Sequence, residues 1–237
     1  MDDWENAKKG TQGLYLVAKP SEVIDSKKLI DIVAVHGLNG HCLDTWTCHD
    51  VLWLRDLLPK EMPNARVMTY QYDSKVISNN YVYSVSDSAR HLVQTLRDYR
   101  DDEVFFGTPH RGADPAKMLG PIVKAVAAAR FRPSSKCVEM LKTHSEELLQ
   151  VSQDFRPFAS QYALVSFYEQ HIHPGLRTVV VDKMSAVMGF PHEDRLMLGG
   201  THSSMCKFTR SDPRFNSVWK HIQRAAVGPP RRRVPLV

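Results

Sequence analysis

With 237 residues, the chain is long enough for one α/β domain with a sizeable core. Its hydrophobic share of 43% and charged share of 24% are typical of a globular protein. The net charge of +5 is mild, and no stripe of basic and aromatic residues indicates nucleic-acid binding, so we expect no nucleic-acid partner. The acidic, polar start is unlike a secretory signal, and no apolar run is long enough for a transmembrane segment.

The cysteines lack the CxxC spacing of a metal site and the density of a disulfide framework; they are Cys42, Cys48, Cys137 and Cys206. We therefore expect reduced thiols in an intracellular, cytoplasmic protein. Residues 1–28 are predicted to be an N-terminal extension, residues 29–226 the domain, and residues 227–237 a basic tail rich in proline and arginine.

Short apolar segments alternate with helical patterns along the predicted domain. The β-branched run LIDIVAVHG, residues 29–37, predicts a strand buried on both faces. A helix is predicted over residues 49–59, where Pro59 would end it. ARVMTYQYD, residues 65–73, predicts a second strand.

The same alternation continues towards the carboxyl end. A capping-box-like start at Ser84 predicts a helix with one apolar stripe, and EVFFG, residues 103–107, predicts the third strand. The remaining predicted elements are a long helical region at about residues 116–158, strands at residues 162–169 and 177–182, and a closing helix near residues 216–226. This order favours a doubly wound, mostly parallel α/β sheet, whose chemistry gathers in loops at the carboxyl ends of the strands.

The segment VHGLNG follows the first predicted strand. Its two glycines allow a sharp turn that directs backbone N–H groups towards a ligand, as an oxyanion hole requires. A plain tight turn is the alternative interpretation. The candidate substrate-binding residues are His36, Gly37, Leu38, Asn39 and Gly40.

The segment GTPHRG follows the third predicted strand, and we interpret it as scaffold. Its proline restricts the backbone, its glycines permit close approach, and its arginine can bind neighbouring carbonyl groups or a carboxylate. The histidine is a tempting base, but a scaffolding role fits the motif better. The predicted scaffold residues are Gly107, Pro109, His110, Arg111 and Gly112.

Three residues near the carboxyl end have the order expected of a hydrolase acid and base. Glu169 and Asp182 each end a predicted strand, and His202 lies in a later loop. A nucleophile, an acid and then a histidine is the chain order of hydrolase triads. The alternative is that Glu169 pairs with a surface arginine and that His202 only packs.

His171 and His173 in HIHPG are two residues apart, so on an extended segment they would face the same way and could bind a metal. An ordinary loop is the preferred interpretation. We therefore predict no metal and no cofactor.

Several segments together resemble the lipase-like α/β-hydrolase domain of the serine active-site-containing protein family. They are HGLNGHCLDTW, VFFGTPHRG, VSFYE, VVVD with SAVMGFP, and THSSMCKF. That family is related to the GPI inositol-deacylase group and to lipase-like domains that precede fungal NACHT-type receptors. The resemblance covers about residues 30–226 and implies a serine esterase or lipase acting on lipid or acyl esters, in some members at the endoplasmic reticulum or mitochondria. It implies His202 as the histidine, Leu38 in the oxyanion loop, Glu169 as the acid and Asp182 as the fallback.

The chain departs from this family at residues 100–103. The family has a strand, a nucleophile elbow of the GHSLGG type and a helix between the predicted helix ending in LRDYR and the strand VFFG. No G-x-S-x-G occurs anywhere in the 237 residues, so a whole strand–turn–helix unit is absent. A skipped exon, an error in the gene model or real decay of the gene would each produce this junction.

No other residue is a convincing nucleophile. Thr108 precedes Pro109, which has no N–H for an oxyanion hole. The other hydroxyl and thiol candidates are Ser86 and Ser88 at a helix start, Ser203 and Ser204 beside the histidine, and Cys42 in the oxyanion loop.

We therefore expect a lipase-like hydrolase fold with a helical cap over residues 116–158, derived from a serine esterase and inactive in this form. The alternatives are a non-catalytic interaction or signalling module that binds a protein partner or carries appended receptor domains, and a hydrolase that uses Cys42. Loss of a central strand is also expected to expose the edges of its two neighbours unless the sheet closes up.

Overall fold

The computed structural model describes residues 2–21, 29–37, 40–74, 91–92, 104–106, 153, 155–157, 159, 162–174, 177 and 179–227. The chain divides into two compact units. The first comprises Met1–Asp101 with Lys207–Trp219, and the second comprises Asp102–Cys206 with Lys220–Val237. No described helix is long and apolar enough to cross a membrane.

The first unit is built on a three-stranded sheet. Its elements are α1 (Asp2–Lys9), β1 (Gly13–Ala18), β2 (Ile30–Val35), a hairpin of β3 (Thr47–Cys48) and β4 (Val51–Leu52), α2 (Trp53–Asp56), α3 (Leu58–Glu61) and β5 (Ala65–Gln71). The strand order is β1-β5-β2. The central strand β5 is antiparallel to β1 and parallel to β2, with Ile32 opposite Val67 and Val35 opposite Tyr70.

An aromatic cluster fills part of the core of this unit. Trp53 at the start of α2 is 2% exposed, and its ring meets Phe208 edge-on at 5.4 Å and Phe215 at 5.9 Å. Trp46 adds a third edge contact at 6.0 Å. Burial of such large rings with offset or edge geometry is a strong source of packing energy.

The second unit contains a separate parallel sheet. Its elements are β6 (Val104–Phe106), β7 (Val165–Glu169), α4 (Lys183–Ala186) and β8 (Asp194–Leu198), and α5 (Pro213–Val227) contributes its residues from Lys220 onward. The order is β6-β7-β8 and all pairs are parallel. Phe167 on the central strand is fully buried and meets His221 of α5 edge-on at 5.9 Å.

Five predicted elements are confirmed: the strands β2, β5, β6 and β7, and the closing helix α5. The predicted burial of β2 on both faces is wrong. All its residues from Ile30 to Ala34 are half-buried, and Val35 is 43% exposed. The difference has a simple physical reason, because β2 has a strand neighbour on one side only within the described residues.

Two of the longer strands, β1 and β8, are absent from the predicted elements. β1 lies inside the segment 1–28 that the sequence analysis treated as an extension, yet it pairs with β5 from Gly13 to Ala18. β8 forms an edge of its sheet and is largely exposed, so its residues lack the continuous apolar pattern of a buried strand.

The strand predicted at residues 177–182 is wrong. The described residues there form no strand, and Asp182 is the N-cap of α4. The N–H of Val181 donates to the side chain of Glu169 at 2.6 Å, so it is not available to a sheet ladder. The strand next to β7 is β8.

The helix predicted over residues 49–59 is replaced by β4, α2 and α3. Pro59 does not end a helix but lies in the first turn of α3, where a missing N–H costs nothing. Of the helix predicted from Ser84, only His91 and Leu92 are described, and both are helical. The predicted cap at 116–158 and the predicted tail at 227–237 lie outside the described residues, apart from four positions between 153 and 157 and from Val227, which ends α5.

Candidate active site

The site begins where two neighbouring strands end. Glu169 is the last residue of β7 and lies opposite Leu198, the last residue of β8. The loops beyond them are joined, because the N–H groups of Gln170 and His171 both donate to the carbonyl oxygen of Gly200, at 3.2 and 2.9 Å. The chain that leaves β8 is therefore held beside the end of β7.

A compact turn then places His202. The carbonyl oxygen of Thr201 accepts from the N–H groups of Ser204 and Met205, at 3.0 and 2.9 Å. The hydroxyl oxygen of Ser204 in turn accepts from the N–H of Thr201 at 2.9 Å. Met205 is fully buried and anchors the turn in the core. His202 lies within this turn, so its backbone position is constrained on both sides.

Glu169 and His202 contact each other through one oxygen and one nitrogen. Nδ1 of His202 lies 3.4 Å from Oε1 of Glu169, whose side chain has no exposed area, while the histidine side chain is 34% exposed. A distance of 3.4 Å is long for a hydrogen bond, and neither this Nδ1 nor Oε2 of Glu169 has a hydrogen-bond partner within the described part of the chain. The two atoms are thus at ion-pair distance, and a small movement of the His202 ring would bring Nδ1 within hydrogen-bond distance of Oε1.

Glu169 is held as a carboxylate. Burial acts to raise its pKa, but the contact with His202 and the N–H groups of Val181 and Val180 outweigh burial, so the pKa lies below its ordinary value. The strongest of the backbone bonds comes from Val181, which donates to Oε1 at 2.6 Å. A buried carboxylate beside a half-exposed imidazole is the arrangement of an acid that orients a catalytic base.

Asp182, the fallback acid, has a different position. It is the N-cap of α4, where its Oδ1 accepts from the N–H of Ser185 at 3.0 Å and its Oδ2 lies 3.4 Å from the Ser185 hydroxyl. Capping of this kind satisfies a donor that the first helical turn leaves free. Of the two predicted acids, the structure brings Glu169 rather than Asp182 into contact with His202.

The predicted oxyanion loop lies in the first unit. His36 is 2% exposed and stacks on Tyr72 with ring centroids 4.5 Å apart. Its Nδ1 donates to the carbonyl oxygen of Gly37 at 2.9 Å, and its Nε2 accepts from the N–H of Tyr72 at 3.5 Å. Burial lowers the pKa of His36, which keeps the ring neutral and suits this bonding pattern. His36 is therefore a structural element of the turn.

Gly40 closes the same turn. Its N–H donates to the carbonyl oxygen of Gly37 at 3.0 Å, and its own carbonyl accepts from the hydroxyl of Ser74 at 3.2 Å. A Cβ at position 40 would lie 2.8 Å from that same carbonyl oxygen of Gly37. The position therefore requires glycine because the backbone approaches too closely for any side chain.

The remaining predicted site residues lie outside the described residues. These are Leu38 and Asn39 of the oxyanion loop and the scaffold residues Gly107, Pro109, His110, Arg111 and Gly112. Their roles stay predictions.

The described nucleophile candidates have other contacts. Ser204 bonds within its turn, and the hydroxyl of Ser203 lies 3.3 Å from that of Thr201. Cys42 is fully buried, and burial raises the pKa of its thiol to about 11. A thiol with so high a pKa is protonated near neutral pH and is a poor nucleophile, which argues against a hydrolase that uses Cys42. Thr108, Ser86 and Ser88 are not among the described residues.

Sequence reasoning missed a second buried carboxylate. Glu193 accepts from the Ser166 hydroxyl at 2.6 Å and from the N–H groups of Met188 and Gly189, both at 2.8 Å, and its side chain is fully buried. These bonds outweigh burial and lower its pKa. Every strong acceptor position is used, so Glu193 holds the loop before β8 in place and is not a second acid. The position of Glu193 just before β8 would have indicated its structural role only if that strand had been predicted.

The paired histidines of HIHPG do not meet a further ligand in the described chain. Nδ1 of His173 donates to the carbonyl oxygen of Pro174 at 3.0 Å. The described residues contain no group of three or more histidine, cysteine, aspartate or glutamate side chains placed to hold a metal.

No protein-family profile matches the chain, and no curated protein sequence matches it significantly. Among solved structures, the mature form of a lipase from Bacillus licheniformis is similar, with a TM-score of 0.56 and 16% sequence identity. The match covers 87% of this chain and 98% of the lipase chain. At this level of identity the likeness concerns the fold alone. The chain thus has a lipase-like α/β-hydrolase fold.

Proposed function

We propose that this chain is a lipase-like hydrolase domain that has kept the acid and histidine of a serine esterase, lacks the nucleophile, and does not hydrolyse esters at a useful rate. The observation that carries the proposal is the 3.4 Å contact between Glu169 and His202 in a chain with no G-x-S-x-G segment. The lipase fold of the chain supports an ester of a lipid or acyl group as the ancestral substrate.

The geometry of the pair supports its assignment as acid and base. In a triad, the buried carboxylate holds the proton on the near ring nitrogen, and the far nitrogen takes the proton of the attacking hydroxyl. Glu169 contacts Nδ1, so Nε2 of His202 would be the base. No described serine, threonine or cysteine side chain bonds to that ring.

The sheet arrangement supports loss of a central unit. In the family that the sequence resembles, the elbow strand follows the helix ending near Arg100 and precedes the strand now seen as β6. Within the described residues, β2 is an end strand of one three-stranded sheet, and β6 is an end strand of the other. Loss of a neighbouring strand leaves an end strand of this kind.

The expected loss of activity is large. Removing the nucleophile of a triad costs about a millionfold in turnover, which leaves only binding and electrostatic assistance. Water activated by His202 would be a much weaker nucleophile than a serine positioned on an elbow.

The test is hydrolysis of p-nitrophenyl esters of short and long acyl chains by the purified chain, with His202→Ala and Glu169→Gln as matched variants. We expect the same background rate from all three proteins. A rate well above background that falls in both variants would mean that the chain contains a working nucleophile, and the proposal of inactivity would be wrong.

Sequencing of the transcripts distinguishes an error in the gene model from real loss of the elbow segment. Transcripts in which only the codons for Asp101 and Asp102 separate those for Arg100 and Glu103 support a protein that exists in this form. An in-frame G-H-S-x-G segment between those codons would restore the esterase assignment to the gene, although not to this chain.

A further inference from the structure

We propose that the turn after β2 is a pH-sensitive latch, which is closed while two histidine rings are neutral and opens when they take up protons in mild acid. The latch consists of His36, Gly37, Gly40 and His41, which all lie in the first unit. Its opening does not depend on ester hydrolysis. Ring nitrogens that accept hydrogen bonds from the main chain, together with burial of the first ring, make the closed turn dependent on neutral histidines.

His36 fits the closed latch only as a neutral ring. Its Nδ1 donates to the carbonyl oxygen of Gly37 at 2.9 Å, and its Nε2 accepts from the N–H of Tyr72 at 3.5 Å. A protonated imidazole carries an N–H on both nitrogens and accepts no hydrogen bond through either. Nε2–H would then point at the N–H of Tyr72, so protonation replaces an attractive contact with two facing donors.

Burial of the His36 ring also opposes its protonation. The ring is 2% exposed, and the side chains that face it in the described chain are those of Tyr72, Gln71 and His41. None of these carries a negative charge near neutral pH that could offset a charged ring. Burial is the largest influence and lowers the pKa of His36 below its ordinary value of 6.5, although hydrogen bonds to Gly37 and Gln71 act in the opposite direction. In an open latch the ring reaches water and takes up the proton more readily, so mild acid favours opening.

His41 shows the same dependence at the other end of the latch. Its Nδ1 accepts from the N–H of Leu43 at 3.2 Å, and the N–H of Asp44 lies 3.5 Å from the same nitrogen. Within the described chain, the titratable groups that face this ring are the Asp44 carboxylate, 3.7 Å from Nδ1, and the ring of His36. A proton on Nδ1 would end its role as an acceptor and leave the carboxylate as its nearest partner. Protonation thus exchanges a main-chain hydrogen bond for an ion pair with Asp44.

Anchors on either side confine the opening to the turn. The residue after the latch, Cys42, is fully buried, and side chains of β5 bind both of its main-chain groups. Its N–H donates to Oε1 of Gln71 at 2.8 Å, and its carbonyl oxygen accepts from the hydroxyl of Thr69 at 2.8 Å. On the other side, β2 is paired with β5 as far as Val35. The main chain between Val35 and Cys42 can therefore rearrange while both strands keep their pairing, which is the pattern of a local opening.

Hydrogen exchange of the whole chain, read by mass spectrometry between about pH 7.5 and about pH 5.5, tests the latch. After correction for the intrinsic exchange rate, the amides of residues 36–43 should lose protection below pH 6.5, while those of β5 should keep it. The loss should reach about tenfold per pH unit for each proton taken up. The double variant His36→Gln, His41→Gln has neither ring and should lose this dependence. His49→Asn is the matched control, because it removes an exposed imidazole from the same unit, at a positive φ of 55° that asparagine tolerates, and it should respond as the wild type does.

An NMR titration of the wild type avoids reliance on variants that could disturb the turn. The ring carbon signals of His36 should titrate with a midpoint below pH 6.5, because the closed latch disfavours the charged ring. Unchanged protection of residues 36–43 across the pH range, an equal loss of protection in β5, an undiminished response in the double variant, or a His36 midpoint at or above pH 6.5 would each overturn the proposal.

Discussion

Glu169 receives contacts of two kinds, and they serve different purposes. The N–H of Val181 donates to Oε1 at 2.6 Å and fixes the chain that follows β7. The same oxygen lies 3.4 Å from Nδ1 of His202, where it can orient the ring. One buried carboxylate thus supports the local fold and orients the histidine, so retention of the pair does not by itself require retained catalysis.

The structural part of this role predicts that Glu169→Gln destabilises the fold. The amide would place an N–H₂ group where the buried Oε2 has no described partner, at a cost of about 1–3 kcal/mol. Urea denaturation should show this loss, and exposed Glu61→Gln should change little. An unchanged midpoint for Glu169→Gln would contradict the buried carboxylate contacts.

The same substitution has a predictable pH dependence. The folded-state pKa of Glu169 is lowered, so its carboxylate adds stability above its unfolded pKa, ordinarily 4.5. That contribution is lost as the pH falls through the lowered folded-state pKa. The stability difference between wild type and Glu169→Gln should therefore be constant near neutral pH and shrink only in acid below about 4.5.

The glycines of the predicted oxyanion loop offer a matched pair. A Cβ at Gly40 would lie 2.8 Å from the Gly37 carbonyl oxygen, whereas a Cβ at Gly37 would meet nothing within 4 Å in the described structure. Gly40→Ala should lower the free energy of unfolding by about 1–3 kcal/mol, as overpacking does. Gly37→Ala should be close to neutral in the same thermal or urea melt. Equal effects would mean that the turn is not closed as described.

Part of the site was predictable from residue order. A carboxylate at a strand end followed by a loop histidine indicated Glu169 and His202, and the structure brings these two together. The choice between Glu169 and Asp182 was not predictable, because both end apolar segments rich in β-branched residues. Only the three-dimensional path of the chain places Glu169 beside His202 and makes Asp182 a helix cap.

At the scale of elements, the predicted strands succeeded where apolar residues are continuous and central. β5 and β7 have this pattern and are mostly buried. β8 was missed because an exposed edge strand needs no apolar run. The wrong strand at residues 177–182 has the right composition, but the N–H of Val181 binds a side chain instead of a neighbouring strand. Composition reports burial, and it does not report which backbone groups pair.

The short helix α4 gives a prediction at this scale. Asp182→Ala removes the acceptor for the N–H of Ser185 and should destabilise the chain by about 0.5–2 kcal/mol. Asp182→Asn keeps a capping oxygen and should lose much less. Circular dichroism during thermal unfolding measures both. If Asp182→Asn were as damaging as Asp182→Ala, the charge rather than the cap would be the important feature.

At the scale of the whole molecule, similarity of fold and the residues present at the site are separate observations about function. The likeness to a lipase covers most of both chains at 16% identity, so the two chains share a fold but few residues. Fold does not imply function, because function depends on the site. Here the described residues place the carboxylate of Glu169 beside the ring of His202, and the sequence contains no G-x-S-x-G segment.

The most direct test of this account is labelling of the intact chain with a fluorophosphonate, read by whole-protein mass spectrometry. An activated hydroxyl group attacks the phosphorus of this reagent and displaces fluoride, so we predict no adduct on a chain that lacks such a hydroxyl. The His202→Ala variant should give the same spectrum. One phosphonate per chain on a single serine or threonine, lost in His202→Ala, would show a working nucleophile and contradict the account.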